Sequence, residues 1–258
     1  MNFFFGFNNK FLKSKLTIPK FNNSSIKKNY TVFSAKPENN QWIVNEVICE
    51  QDDNFYFVNN ERIKNNLIFF LAHQKEIKKN TYKDIRDFFK INDFTDTKPS
   101  AFRANLEIYT EEGGFSSYQS EYPNFMATKN GNILSPVDIL LDKYAERNSI
   151  LFKNIYYLPN NEESKIYFIN LKSKKILDVK TIKNNFSNHI EIDKDLIKKN
   201  VYIFSEKALG IPLYISIKNS HISFEHTHPP HHYILSENQF SLTGQLKKKI
   251  KKIINENN

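Results

Sequence analysis

Five of the seven histidines lie within residues 221–232. Imidazole carries protons near neutral pH and is a common ligand of transition metals. On a strand, His226 and His228 share one face, because side chains alternate, and they continue the row of Ile222 and Phe224. Two imidazoles on one face can both reach a single cation held inside a sheet.

The residues after this strand complete the expected site. Pro229-Pro230 ends the strand pairing and forces an extended turn, which brings one of the two later histidines round as a third ligand. Neutral imidazoles with one carboxylate suit a divalent Zn, Fe, Mn or Ni ion. Three protein ligands with an open position are typical of a catalytic metal centre. The predicted metal ligands are His226, His228 and His231, and Glu225 and His232 are the nearest predicted catalytic residues.

Two other interpretations of the histidines stay open. They form either a metal-free ligand or acid–base site, or a hydrogen-bonded loop at the rim of a sheet with a purely structural role. The H-x-H spacing on a strand resembles that of metal-binding cupins. The flanking glycines and the following glutamate of that motif are missing here, so the spacing assigns no family.

A second polar pattern occupies a predicted β-hairpin. Residues 102–109 alternate apolar and polar side chains with period two, which is typical of a strand. The segment 111–114 ends in two glycines and makes the turn, and residues 115–122 return as an unusually polar strand. Arginine, asparagine and glutamate lie in a row opposite hydroxyl and amide side chains. Together they supply the hydrogen-bond donors and acceptors needed to bind a sugar or a small carboxylate. The predicted ligand-binding residues are Arg103, Asn105, Tyr118 and Gln119, with Glu107 as a third catalytic candidate.

Composition favours a functional role for both segments over simple burial in central strands, while a solvated outer sheet face stays an open alternative for the hairpin. The chain has 33 Lys and 34 Asn among 258 residues, as an AT-rich genome would produce. Residues 101–123 nevertheless contain no Lys and one Asn, and residues 221–237 contain neither. Burial would exclude lysine from central strands, but both segments are polar. Within the first, Arg103 is the residue able to hold an anion through two parallel hydrogen bonds.

The elements that must position these residues are mostly short strands, and no glycine-rich phosphate loop follows any of them. No nucleotide cofactor is therefore expected. The fold class is mainly β (α+β), an antiparallel β-sandwich or barrel-like sheet with two or three short helices and a C-terminal basic amphipathic helix. Residues 1–95 are predicted as an N-terminal β-rich or α+β part and residues 96–258 as a C-terminal β-rich part, or the two form one continuous domain. The predicted helices cover residues 82–90, 136–147 and 242–254.

Several classes of protein are excluded by composition. The net charge of +9 comes from lysine, with only four arginines, whereas specific nucleic-acid recognition relies on the planar fork of arginine. No apolar run approaches the ~18 residues of a membrane span. The single cysteine, Cys49, cannot form an internal disulfide, so a cytoplasmic location is expected. The oligomeric state stays open.

Two functions compete on this sequence. The first is a metal-dependent or histidine-assisted enzyme that acts on a small polar substrate, such as a sugar or an acidic sugar derivative. The second is a non-enzymatic β-sandwich module that binds a glycan or another protein through the polar hairpin. A lesser possibility is that the lysine face of the terminal helix contacts anionic phosphates, although its isoleucines also predict packing on a sheet.

Overall fold

A computed structural model describes residues 2–20, 30–87, 103–123, 126–127, 132–207, 210–226 and 236–257. Within these residues the chain forms nineteen strands and one α helix. The strands are β1 Asn2–Phe3, β2 Leu12–Pro19, β3 Tyr30–Glu38, β4 Gln41–Glu46, β5 Glu50–Gln51, β6 Phe55–Val58, β7 Ile68–His73, β8 Thr81–Tyr82, β9 Ala104–Thr110, β10 Phe115–Ser120, β11 Tyr122–Pro123, β12 Ile133–Pro136, β13 Arg147–Asn154, β14 Glu163–Asn170, β15 Lys175–Lys183, β16 Phe186–Glu191, β17 Val201–Ser205, β18 Ile211–Lys218 and β19 His221–His226. The helix is α1, Gln239–Asn257.

The predicted fold class is confirmed. The strands form several sheets in which neighbouring strands run antiparallel, so the protein is a β-rich α+β protein. Because antiparallel neighbours can be joined by tight turns, the chain needs no crossover helices. Among the described residues, no helix is both long enough and apolar enough to cross a membrane.

The chain divides into two compact units. Unit 1 consists of Met1–Lys129, Lys153–Glu162 and Asn184–Ser187, and unit 2 of Asn130–Phe152, Glu163–Lys183 and Asn188–Asn258. The boundary predicted after residue 95 falls among residues 88–102, which lie outside the described residues, so that division stays a prediction. Unit 1 as found includes residues on both sides of it.

Unit 1 contains a five-stranded sheet in the order β10-β9-β2-β6-β5 and a four-stranded sheet in the order β7-β3-β4-β8. Strand β2 is central in the first sheet, and buried and partly exposed side chains alternate along its sequence, LKSKLTIP. Leu12, Leu16 and Ile18 are buried while Lys13 and Lys15 are only partly covered. The five-stranded sheet therefore has one face in the core and one polar face.

Unit 2 contains a sheet in the order β12-β17-β14-β15 and most of a sheet in the order β16-β13-β18-β19. Apolar side chains from both sheets form one core cluster that includes Phe152, Phe168 and Tyr214. Helix α1 confirms the predicted C-terminal helix and packs on the first of these sheets. Its buried Ile250 and Ile253 join a second cluster with the strand residues Leu134, Tyr167, Ile169 and Phe204.

Two of the predicted helices are wrong. Residues 133–136 form β12, which pairs with β17, and turns follow it to residue 146. Ser135 was expected to cap a helix, but its hydroxyl accepts a 2.6 Å hydrogen bond from Tyr214 and donates to the carbonyl of Pro136. Near residue 82, Tyr82 pairs with Trp42 in β4, and only residues 85–87 adopt a 3-10 turn. Residues 88–90 of that predicted helix lie outside the described residues.

Candidate functional site

The predicted polar hairpin is present as β9 and β10, joined by a turn in which Gly113 has φ of 94°. A positive φ of this size is the left-handed conformation that glycine adopts most readily. The register places Asn105 opposite Gln119 and Glu107 opposite Ser117. Residues directly opposite each other on antiparallel strands share one face, so these four side chains lie together.

The same polar row continues across β2 and β6. Lys15 is paired with Glu107 and Thr17 with Asn105, while Phe57 is paired with Thr17 on the other side. We call this side of the sheet the outer face. Its members are Lys13, Lys15, Thr17, Phe55, Phe57, Asn105, Glu107, Tyr109, Phe115, Ser117 and Gln119.

Aromatic rings border the polar centre of the outer face on two sides. Phe55 and Phe57 lie with ring centroids 6.4 Å apart, and the ammonium group of Lys15 is 5.0 Å from the centroid of the Phe57 ring. On the other side, Tyr109 is paired with Phe115, whose side chain is 68% exposed. The outer face thus combines amides, a carboxylate and an ammonium group with flat apolar surfaces.

Tyr109 keeps its phenolic proton as a hydrogen-bond donor. Burial is the largest cause that raises the pKa of its hydroxyl, and the nearby carboxylates of Glu107 and Glu61 raise it further. The amide side chains of Asn105 and Gln119 make no hydrogen bond with the described part of the chain. The outer face therefore has donors and acceptors that a ligand can use.

The structure gives the other two predicted ligand-binding residues, Arg103 and Tyr118, different surroundings from those of Asn105 and Gln119. Arg103 is engaged by a carboxylate, because its Nε lies 2.9 Å from Oε2 of Glu121. Oε1 of Glu121 also accepts a hydrogen bond from Nδ2 of Asn2 at 3.1 Å. Tyr118 is opposite Leu106 and lies on the other face of the sheet. Asn105 and Gln119 are the predicted residues that the sheet brings together with Glu107.

The histidine segment is described only as far as residue 226. His226 ends β19 opposite Leu213, and it shares a face with the buried Phe224 as the alternation predicts. His226 is half-buried and Glu225, on the opposite face, is exposed. His228, His231 and His232 lie outside the described residues. Across the described ranges, no three His, Cys, Asp or Glu side chains are grouped so that they could hold a metal ion.

The polar hairpin belongs to unit 1 and His226 belongs to unit 2. The predicted metal centre also includes His228 and His231, which lie beyond residue 226. The enzyme hypothesis also predicts that Arg103 or Glu107 reaches the histidines, and this stays a prediction.

The structure contains a buried lysine that was not predicted from the sequence. Lys153 in β13 is completely buried, and its Nζ donates hydrogen bonds of 3.1 Å to the backbone carbonyls of Asn65 and Leu67. Burial lowers the pKa of this ammonium group to about 7. The available signal was a single lysine inside the apolar run Ile150–Ile155.

Comparisons with known proteins identify no relative: no family model, no curated protein and no solved structure matches this chain. The function is therefore inferred from the chemistry of the described residues.

Proposed function

We propose that this protein is a non-enzymatic glycan-binding module and that the outer face of its five-stranded sheet holds the ligand. The observation that carries the proposal is the register of β10, β9, β2 and β6. This register aligns Gln119, Asn105, Thr17 and Phe57 in one row across four strands. Such a row is extended, which suits a chain of sugar units.

The side-chain chemistry favours a polyhydroxylated ligand. Sugar hydroxyls both donate and accept hydrogen bonds, and the amides of Asn105 and Gln119 also do both. The carboxylate of Glu107 accepts and the ammonium group of Lys15 donates. A small number of such polar groups fixes the orientation of a ligand, while apolar surface supplies contact area.

The aromatic residues add the apolar part of the recognition. The exposed ring of Phe115 and the pair Phe55 and Phe57 offer surfaces on which the C–H faces of a sugar ring can pack. Aromatic side chains carry a large apolar area with few rotatable bonds, so they bind with a small loss of conformational entropy. Aromatic groups on both sides of a polar centre would hold adjoining sugar units.

A second candidate is the metal-dependent or histidine-assisted enzyme acting on a small polar substrate. The specific observation in its favour is that half-buried His226 continues the inward row of Phe224. Imidazole is a common ligand of transition metals and carries protons near neutral pH. The described residue that favours this activity, His226, belongs to unit 2.

Binding to a panel of immobilised oligosaccharides tests the glycan proposal. The panel should contain hexamers of glucose, N-acetylglucosamine, mannose and galacturonic acid. The wild-type chain is expected to retain at least one of them. The double variant Asn105→Ala/Gln119→Ala is expected to lose most of that binding, because it removes two hydrogen-bonding amides at the centre of the outer face.

Gln245→Ala is the matched control for this experiment. Gln245 is an exposed amide on α1, in unit 2, and its removal should leave oligosaccharide binding unchanged. If the wild-type chain binds no member of the panel, or if the double variant binds as tightly as the control, the glycan proposal is wrong.

A further inference from the structure

A second surface of unit 1 has the form and charge of a ligand site. A cleft with a volume of about 910 Å³ opens beside β8, and its lining includes Lys75, Lys78, Lys79 and Lys83. Small-molecule sites commonly have volumes of roughly 300–1,000 Å³. The cleft is separate from the outer face, since it adjoins the sheet β7-β3-β4-β8.

Local structure fixes the walls of the cleft. At one end, the side chain of His73 accepts a hydrogen bond from the backbone N–H of Lys75, and the carboxylate of Glu76 accepts one from the backbone N–H of His73. This reciprocal cap holds the turn that carries Lys75. Thr81 and Tyr82 pair with β4. This pairing positions Lys79 and Lys83, which flank β8 in the sequence.

The charge of the cleft is not balanced. Four ammonium groups line it together with two carboxylates, those of Glu76 and Asp87, and Glu76 already accepts the hydrogen bond from His73. In the part of the chain that the structure describes, none of the four lysines forms an ion pair. Other lysines do, such as Lys180 with Asp178 at 2.9 Å and Lys198 with Asp195 at 3.0 Å.

We propose that this cleft binds a small molecule that carries two or more phosphate groups. Lysine ammonium groups act as compact point charges with three donors each, and several of them can share the oxygens of neighbouring phosphates. The planar fork of arginine suits carboxylates and phosphates alike, and the described lining of the cleft contains no arginine. Lysine, which lines the cleft four times, is a common phosphate ligand that acts as a point charge. Multiple phosphates are the chemistry that matches a group of four lysines.

Neutral polar groups in the same cleft complete the recognition. Gln41, Thr81 and Tyr82 line it beside the lysines. Burial raises the pKa of the Tyr82 hydroxyl, and a hydrogen bond with the backbone of Lys79 lowers it less, so the phenol stays protonated beside the lysines. These groups would bind the part of the molecule that connects or carries the phosphates.

Isothermal titration calorimetry of the full chain with sodium tripolyphosphate at about 0.15 M salt tests this proposal, because salt at this concentration screens exposed charges that lie more than about 8 Å away. The variant Lys78→Gln/Lys79→Gln should weaken binding by about tenfold or more, since an ammonium–phosphate contact in water contributes about fivefold. The matched control is Lys248→Gln/Lys249→Gln, which removes two adjacent exposed lysines from α1 and makes the same change in net charge. The control should change the affinity by less than about twofold, because its lysines do not line the cleft.

Three results would overturn the proposal. The first is that tripolyphosphate does not bind the wild-type chain. The second is an equal loss of affinity in the two double variants, which would show that net charge alone attracts the anion. The third is that citrate or a thymidine oligonucleotide binds the cleft more tightly than tripolyphosphate, which would assign it to carboxylates or to a nucleic-acid strand.

Discussion

The ammonium group of Lys153 donates to the backbone carbonyl of Asn65 at 3.1 Å. The same nitrogen donates to the carbonyl of Leu67 at 3.1 Å, so one buried side chain connects β13 to the segment that leads into β7. Both carbonyls are neutral acceptors. They accept hydrogen bonds from two of the three N–H donors of the ammonium ion but do not offset the cost of burying its charge.

This arrangement predicts that folding stability rises with pH above neutrality. The pKa of Lys153 is about 7 in the folded chain against an ordinary value of 10.5, so the unfolded chain binds more protons between those values. Protons therefore favour unfolding, and the free energy of unfolding should rise by about 2–3 kcal/mol from about pH 7 to about pH 9. Chemical denaturation at a series of pH values measures this slope.

Lys153→Met should abolish most of the dependence of the free energy of unfolding on pH, even if it changes that free energy at a single pH. Lys248→Met, which removes an exposed lysine, should keep it. Between about pH 7 and pH 9, neither His189 nor Cys49 causes most of the change in the free energy of unfolding, because burial lowers the pKa of His189 and raises that of Cys49. An unchanged slope in Lys153→Met would show that this lysine is not the titrating group.

Gly6 should not tolerate a methyl group. A Cβ at this position would lie 2.6 Å from Cγ2 of Ile63 and 2.9 Å from its Cδ1, and Ser187 donates to the Gly6 carbonyl at 2.9 Å. Gly6→Ala should therefore lower the free energy of unfolding by about 1–3 kcal/mol through overpacking. Thermal or denaturant unfolding measures the loss.

Gly244→Ala is the same substitution at a position where it should raise the free energy of unfolding. Gly244 lies inside α1 with no heavy atom within 4 Å of a Cβ built there, so alanine should stabilise the helix by about 0.5–1 kcal/mol. Equal effects of the two substitutions would contradict the packing described around Gly6.

Packing of α1 predicts that its isoleucines stabilise the fold. Ile253 is 2% exposed within the cluster that includes Tyr167 and Phe204, and Ile253→Ala should lower the free energy of unfolding by about 2–5 kcal/mol. Lys252→Ala, at an exposed neighbouring position, should have little effect. A helix that served as a peripheral anchor would behave differently: Ile253→Ala would leave stability unchanged and reduce binding to anionic liposomes.

Much of the sheet structure could be predicted because local alternation and turn residues decide it. The hairpin of β9 and β10 was visible in the alternation before Gly113-Gly114 and in the polar strand after it. Asparagine has a role beyond genomic composition, since Asn39 and Asn40 have φ of 50° and 57° in the turn between β3 and β4. Asparagine tolerates that left-handed conformation better than most residues, which suits a two-residue hairpin turn.

Features that depend on tertiary contacts could not be predicted in the same way. The sequence around Ser135 has the residues of a helix start, but Tyr214, distant in sequence, occupies the serine hydroxyl. The burial of Lys153 depends on carbonyls about 90 residues away in the chain. Arg103 was expected to bind an anion, and the carboxylate of Glu121 on the neighbouring strand segment now engages it.

The histidine segment predicts a transition metal in the native protein. Elemental analysis of protein purified without a histidine tag should show close to one equivalent of Zn, Fe, Mn or Ni, and His226→Ala should lose it because the ligand set is then incomplete. His73→Ala is the control, since the ring of His73 caps a turn in unit 1. Absence of metal from the wild-type protein, or equal metal in both variants, would contradict the predicted centre.

The most direct test of the glycan proposal is the affinity of Phe115→Ala and Phe240→Ala for the oligosaccharide that the wild-type chain retains. Both side chains are phenylalanines that are 68% exposed, but only Phe115 lies on the outer face. Calorimetric titration should show about a fivefold weaker Kd for Phe115→Ala, the loss expected for one aromatic contact, and no change for Phe240→Ala. The same Kd for both variants would contradict binding at the outer face.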